Sequence, residues 1–253
     1  MYKRQMPIMQ RLKSYVGWIS SLWLLLSVAP AQAIEGGRLA RANDPLAAAT
    51  VTIGSVVAGG ESVSLNRCSG VLISPEYVLT AAHCVRGNAL AAAVRFFSGS
   101  RPTGRPVRVA QVARYALQED DVPREYAASL AELSLDTAIL RLEAPVRGRR
   151  PIMVERRPDR VPSRLRLAGA GLSGGRGAGI LRTTLLEPIA ITRSGLTIAR
   201  AIGSRVCVGD SGGPVVAEGR GVPRVWGVAS AVMTREPPCG DTLVIAPANP
   251  AAW

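Results

Sequence analysis

The stretch Gly209-Asp210-Ser211-Gly212-Gly213-Pro214 sets one hydroxyl at the centre of a turn in which three of six residues are glycine. Glycine lets the backbone turn sharply, so that neighbouring N–H groups can converge on a developing oxyanion. A hydroxyl is a weak nucleophile near neutral pH and needs a base with a pKa of about 7. The chain holds one His, in Thr80-Ala81-Ala82-His83-Cys84, at the end of an apolar run. An imidazole in turn needs a carboxylate that fixes its tautomer and steadies its charged form. Leu135-Asp136-Thr137-Ala138-Ile139-Leu140 places an acid at the head of a strand-like segment, and Glu132 is its only local competitor.

These three motifs, in the order His83, Asp136, Ser211, resemble those of trypsin-like (chymotrypsin-family) serine proteases; subtilisins and α/β-hydrolases use other orders. The resemblance runs from Ile34-Glu35-Gly36-Gly37 to Trp253. It implies an all-β chain of two six-stranded antiparallel Greek-key barrels with the active site in the cleft between them. It also implies a secreted endopeptidase acting on protein or peptide substrates, with no metal and no organic cofactor. By motif, His83 would be general base and acid, Asp136 its orienting group and Ser211 the nucleophile. The N–H groups of Gly209 and Ser211 would form the oxyanion hole. A freed Ile34 amine would pair with Asp210, the acid before the nucleophile.

The same resemblance places Arg205, six residues before Ser211, at the floor of the substrate pocket, with Ser230 and Val232 on its wall. A guanidinium there attracts an acidic side chain and rejects Lys or Arg. Val232 at the mouth favours small side chains. The expectation is therefore a small or acidic residue before the cleaved bond, not a basic one. Several positions depart from the family pattern. Glu35 replaces an apolar residue, Ala231 and Val232 replace Trp and Gly, and Gly169-Ala170-Gly171 stands for Gly-Trp-Gly.

Outward from these motifs, twelve short segments carry strand signals. Six are Val51–Val57, Gly70–Ser74, Tyr77–Ala81, Ala92–Phe97, Val107–Val112 and Thr137–Leu142. The others are Leu165–Ala168, Thr184–Ile191, Leu196–Ala199, Pro214–Val216, Val225–Val232 and Thr242–Ile245. Many short strands divided by Gly and Pro suit barrels or a sandwich. The segment Leu117–Leu133 reads as a loop with a helical turn or two, and Arg147–Pro162 as a solvated basic linker between halves. The division expected is residues 1–33, 34–148 and 149–253, with His83 and Asp136 in the second part and Ser211 in the third.

Residues 1–33 read as a secretory signal: Lys3, Arg4, Arg11 and Lys13, then the apolar run Tyr15–Val28, then Ala31-Gln32-Ala33. The apolar run is shorter than the roughly 20 residues a spanning helix needs. The expectation is a secreted or periplasmic protein with no stable membrane insertion after cleavage before Ile34. In that oxidising setting four Cys make two disulfides. Three pairings are open, and short loop closure favours Cys68–Cys84 with Cys207–Cys239.

Composition excludes other classes. With 253 residues, 47% hydrophobic and 19% charged, the chain is no disordered tail, and one His with four Cys cannot build several zinc sites. Beyond residue 33 every basic residue is Arg, 27 against 18 acids, a net +9. Two rival functions arise: a catalytically silent binding protein on the same fold, and a basic module for anionic surfaces, with Arg147, Arg149, Arg150, Arg156, Arg157 and Arg160 as its local motive. No aromatic residue interleaves with that run, so no specific nucleic-acid binding is expected.

Overall fold

Period-two alternation decides the architecture, because each strand can bury one face against a shared core. The computed structural model describes residues 33–59, 62–85, 89–115, 130–155, 162–171, 179–218, 222–233 and 239–248. A short strand β1 (Arg38–Leu39) and a helix α1 (Pro45–Ala49) lead into β2 (Thr50–Gly59), β3 (Ser62–Leu72), β4 (Tyr77–Thr80), β5 (Ala89–Ser98) and β6 (Arg101–Arg114). A helical turn α2 (Leu130–Ser134) precedes β7 (Ala138–Leu142). The second half holds β8 (Leu165–Gly169), β9 (Arg182–Ile191), β10 (Thr197–Ala201), β11 (Val206–Cys207), β12 (Pro214–Ala217), β13 (Val225–Met233), β14 (Cys239–Gly240) and β15 (Thr242–Pro247).

Strands β2 to β7 close an antiparallel barrel in the order β2-β3-β4-β7-β6-β5. The second barrel runs β8-β9-β10-β15-β13-β12, and β12 returns to β8. Both therefore follow one plan: first, second, third, sixth, fifth, fourth. Strand β1 extends the second barrel along β9, while β11 and β14 pair apart from it. In the first barrel the row Cys68, Ile53 and Val94 points inward and is buried, with Val107 packed against the same core. The second core gathers Ile34, Leu165, Leu167, Leu186, Val215 and Ile245, among others. Both expected disulfides form, Cys68–Cys84 and Cys207–Cys239.

All twelve expected strands are present, several of them longer than their sequence signals. Strand β6 spans fourteen residues, not the six of Val107–Val112, since Pro102, Gly104 and Pro106 mask its pattern while leaving it paired to β5. Strand β3 begins at Ser62 because Ser62–Asn66 pair across the hairpin with β2, although Ser62, Ser64 and Asn66 dilute the apolar signal of Val63 and Leu65. Helix α1 was not expected. The Asp44 side chain accepts from Leu46 N (3.0 Å) and Pro45 opens the first turn, an N-cap followed by a pre-set φ. The segment 117–133 yields α2 at its end, and its part before residue 130 lies outside the described residues.

The linker expectation needs correction over residues 147–155. This stretch is bonded to both barrels: Ile152 N donates to Leu72 O (2.9 Å), and Glu155 N and Val225 N exchange bonds with Val225 O and Met153 O. Arg149 reaches inward, donating to Phe97 O (2.7 Å) with its guanidinium 5.1 Å from the Phe96 ring centre. A planar cation stacked on a ring gains more there than in water. Arg156, Arg157 and Arg160, like residues 1–32, lie outside the described residues. Among the described residues no helix is long and apolar enough to cross a membrane.

Candidate active site

His83 sits in a 3₁₀ turn, Ala82–Val85, directly after β4, and the adjacent Cys84 is tied to Cys68 in β3. Asp136 lies two residues before β7, and β7 pairs with β4 through Thr80 and Ala138. That register brings Asp136 to His83. Asp136 Oδ1 accepts the His83 backbone N–H (2.9 Å), and Oδ2 lies 2.8 Å from ring Nδ1. The Ser230 hydroxyl, from β13 of the other barrel, donates to the same Oδ2 at 2.5 Å. Burial pushes the Asp136 carboxyl up, but the His83 ring bond and charge, the Ser230 hydroxyl and the His83 amide outweigh it and hold the group below its ordinary value. An ionised carboxylate only accepts, so Nδ1 is the donor and Nε2 keeps a lone pair for a proton. The ring stays about one-third exposed, at 31%.

The Ser211 turn docks against this group from the second barrel. Its backbone C=O accepts from Ser69 N (2.8 Å), and the Gly209 C=O accepts from the Ser69 hydroxyl (3.0 Å). Ser69 stands next to Cys68, so the turn lies beside the disulfide that holds His83. Glycine is required at two places here. Gly209 has φ +91°, and Gly212, at φ +76°, would drive a Cβ into Thr80 Oγ1 and the Ser69 carbonyl. Among the described residues, the N–H groups of Gly209 and Ser211 donate to no protein acceptor. Two unspent adjacent donors on a rigid turn are what an oxyanion would use. Among the described residues no hydrogen bond joins the Ser211 hydroxyl to the His83 ring, a contact that in ligand-free sites commonly tightens when substrate arrives.

Asp210 is fully buried and satisfied by three N–H donors. Oδ2 accepts from Ile34 N (3.0 Å) and Cys207 N (2.8 Å), and Oδ1 accepts from Gly171 N (2.9 Å). Burial pushes its carboxyl up to about 6, against the pull of those three donors. Ile34 is buried too, and its φ is +36°, a region that a β-branched residue rarely adopts.

Arg205, the expected pocket-floor residue, and Glu35, a departure from the family pattern, meet each other. Their backbones bridge, with Arg205 N donating to Glu35 O (2.8 Å), and their charged ends lie 3.5 Å apart. Arg205 Nη2 also donates to Cys239 O (2.7 Å). Val232 packs on the second core, and the Ser230 hydroxyl is turned to Asp136. Two groupings, Cys68 with His83 and Cys84, and Glu35 with Cys207 and Cys239, gather metal-type donors, but their sulfurs are joined in disulfides and offer no thiolate. A groove of about 690 Å³ between residues 36–45 and β9 lies on the N-terminal segment, away from His83.

Sequence reasoning missed Ser69 and Thr137. Ser69 takes three bonds around the turn, including one from Ala170 N (2.9 Å), and Thr137 Oγ1 donates to Pro247 O (3.1 Å) across the two barrels.

Comparison with known proteins adds the family. The family profile described as Trypsin matches residues 50–251. Granzyme M from Homo sapiens is 31% identical over 193 residues, covering 66% of this chain and 70% of that protein. Among solved structures, HL collagenase aligns with a TM-score of 0.64 and 21% identity over 85% of this chain and 94% of its own. A scabies mite inactivated protease paralogue, S-D1, aligns at 0.60 and 18% identity, over 85% and 92%. Neuropsin, a serine protease expressed in the limbic system of mouse brain, aligns at 0.56 and 21%, over 82% and 93%.

Proposed function

The chain belongs to the trypsin family, and on that premise we propose that it is an exported serine endopeptidase acting through Ser211, His83 and Asp136. The observation that carries this is the Asp136 carboxylate, which binds the His83 ring, the His83 amide and the Ser230 hydroxyl at once. A carboxylate held ionised in that way fixes Nδ1–H and turns Nε2 into the base. Nε2 takes the Ser211 proton as Oγ bonds to the substrate carbonyl carbon. The carbonyl oxygen gains the charge and rests on Gly209 N–H and Ser211 N–H. The imidazolium then gives its proton to the leaving amine, and water releases the acyl group by the reverse sequence.

Activation follows from Ile34. We read the signal cut between Ala33 and Ile34 as the event that makes the active N-terminus. Ala33 and Ile34 are 1% and 0% exposed, which supports cleavage during export, before the chain folds around that bond. Cutting it also removes the carbonyl that makes a positive φ costly, about 1–3 kcal/mol of relief. The freed ammonium then faces Asp210, the donor and acceptor already 3.0 Å apart. The halves 34–148 and 149–253 supply base and nucleophile respectively. Before the scissile bond the enzyme prefers small residues to basic ones. Val232 narrows the mouth, and Arg205 at the expected floor presents a guanidinium where a basic side chain would need a carboxylate, while its bonds to Glu35 and Cys239 O draw it off an acidic ligand.

The test is labelling of exported protein with a peptide phosphonate, with Ser211→Ala as control. Stoichiometric labelling that vanishes in the variant is expected, with N-terminal sequencing starting at Ile34. No labelling of folded wild-type protein would point to a silent binding protein on this fold.

A further inference from the structure

We propose that the outer wall of the first barrel is a binding surface for an acidic polysaccharide, a chain of sugar rings bearing sulfate or carboxylate groups. Strands β5, β6 and β7 together carry Arg95, Arg101, Arg105, Arg108, Arg114 and Arg141 and not one Asp or Glu. Among the described residues only Arg108 of these six meets a carboxylate, Glu143 at 3.2 Å, and that pair is mostly solvated.

Strand register organises this charge. Arg67, Gly54, Ala93 and Arg108 are successive cross-strand partners on β3, β2, β5 and β6, so they share one face, opposite the buried row of Cys68, Ile53 and Val94. Two arginines thus end a row whose middle residues are small, about 14 Å along the curved wall, three strand spacings of about 4.8 Å. Arg95 follows on β5, its Nε donating to Gly104 O (3.1 Å) beside Arg105. Further along, Tyr77, Arg141 and Gln111 form the next outward row on β4, β7 and β6, with Arg141 Nε donating to Gln111 Oε1 at 3.0 Å.

That last row edges a shallow depression of about 360 Å³, lined by Tyr77, Gln111, Val112, Ala113, Ile139 and Arg141. Tyr77 is 40% exposed and edges an apolar base of Val112, Ala113 and Ile139, with the Arg141 guanidinium and the Gln111 amide in the same lining. One sugar ring suits such a site: C–H faces on the ring and the aliphatic base, and an acidic substituent on Arg141. Guanidinium forks bind planar or tetrahedral oxyanions in bidentate fashion, and the remaining arginines line up to meet later units of the chain. Among the described residues two exposed rings, Tyr77 and Tyr115, give no series of stacking platforms for bases, which disfavours single-stranded nucleic acid. The wall is a sheet without an amphipathic helix, which disfavours a lipid surface. The surface acts independently of the catalytic chemistry and holds the protein on an acidic matrix.

The experiment uses the mature Ser211→Ala protein on immobilised heparin and polygalacturonate, across a range of salt. One variant carries Arg95, Arg105, Arg108 and Arg141→Gln; a charge-matched control carries Arg147, Arg150, Arg193 and Arg224→Gln, all four outside strands β5 to β7. The wall variant should show a log affinity against log salt slope shallower by about three to four, while the control shifts by about one or less. Tyr77→Ala should weaken binding about two- to tenfold with the slope unchanged. If the quadruple wall variant does not fold, the exposed pair Arg105/Arg108→Gln is read against Arg147/Arg150→Gln. Equal losses in wall and control variants, or no retention of the Ser211→Ala protein on either polymer, overturn the proposal. So does tighter binding to single-stranded DNA or phosphatidylserine vesicles at the same salt.

Discussion

The two barrels share one strand order yet use their arginines in opposite ways. In the second half, Arg166 meets Asp44 (2.6 Å) and Glu218 (3.1 Å), Arg182 donates to Gly37 O (2.7 Å), and Arg205 binds Cys239 O and faces Glu35. These cations fasten the N-terminal segment to the barrel behind the nucleophile. In the first barrel the arginines of β5 to β7 point away from the core and leave their charge to solvent. Under the proposed mechanism polar groups are divided in the same manner: the first barrel would supply base and acid, the second the nucleophile and its two donors, beside the buried Asp210. One architecture carries both roles because loops and strand ends, not the barrel plan, set the chemistry.

The division is tested most severely at Asp136. Asp136→Asn should lower kcat about 10⁴-fold, because an amide can hold the ring in the wrong tautomer while the fold persists. Steady-state kinetics with a small-residue ester substrate measures it, and a loss below tenfold would mean the first barrel does not orient the base. Ser230→Ala, removing the second barrel's share of that carboxylate, should cost much less, on the order of tenfold.

Next comes Asp210. In the cleaved protein Asp210→Asn strands the Ile34 ammonium and should destabilise by about 3–5 kcal/mol in urea unfolding. A form extended before Ile34 behaves differently with pH. Its Asp210 carboxyl is raised to about 6 by burial, so the contribution is fully present below the unfolded value of 3.8 and is lost as pH rises through about 6. The loss amounts to about 3 kcal/mol. Thermal melts of extended and cleaved protein at pH 4.5 and 7.5 separate the two, since cleavage supplies the counter-charge and should remove that loss.

Smaller effects follow for the disulfides. Replacing Cys68 and Cys84, 16 residues apart, with Ser should cost about 3 kcal/mol, and replacing Cys207 and Cys239, 32 apart, slightly more. Only the first replacement should also loosen His83 and lower kcat disproportionately. Smallest is Thr137→Val, which removes the bond to Pro247 O and should cost about 1 kcal/mol.

Much of this arrangement was legible in the chain itself, for physical reasons. Strand β7 alternates buried with half-buried positions, β4 reads as a short apolar run, and the turn around Ser211 carries glycines that few other structures demand. Strand β6 was half hidden because Pro and Gly suppress a strand signal without preventing an exposed strand from pairing. Ser69 was illegible because its role lies in backbone groups brought together from 140 residues away, as its bond to Gly209 O shows. Arg149 was misread as a solvated charge because nothing local announces that Phe96 and the Phe97 carbonyl will receive it. Likewise, Glu35 looked anomalous and Arg205 was read only as a pocket floor, and only tertiary contact pairs the one with the other.

The grip of Ser69 on both carbonyls of the nucleophile turn has a thermal corollary. The turn's geometry depends on a side chain from the opposite barrel, so a slight parting of the halves would unshape it while every strand stayed paired. Warming should therefore extinguish turnover several degrees before the sheet signal in circular dichroism begins to fall, and cooling should restore it in full.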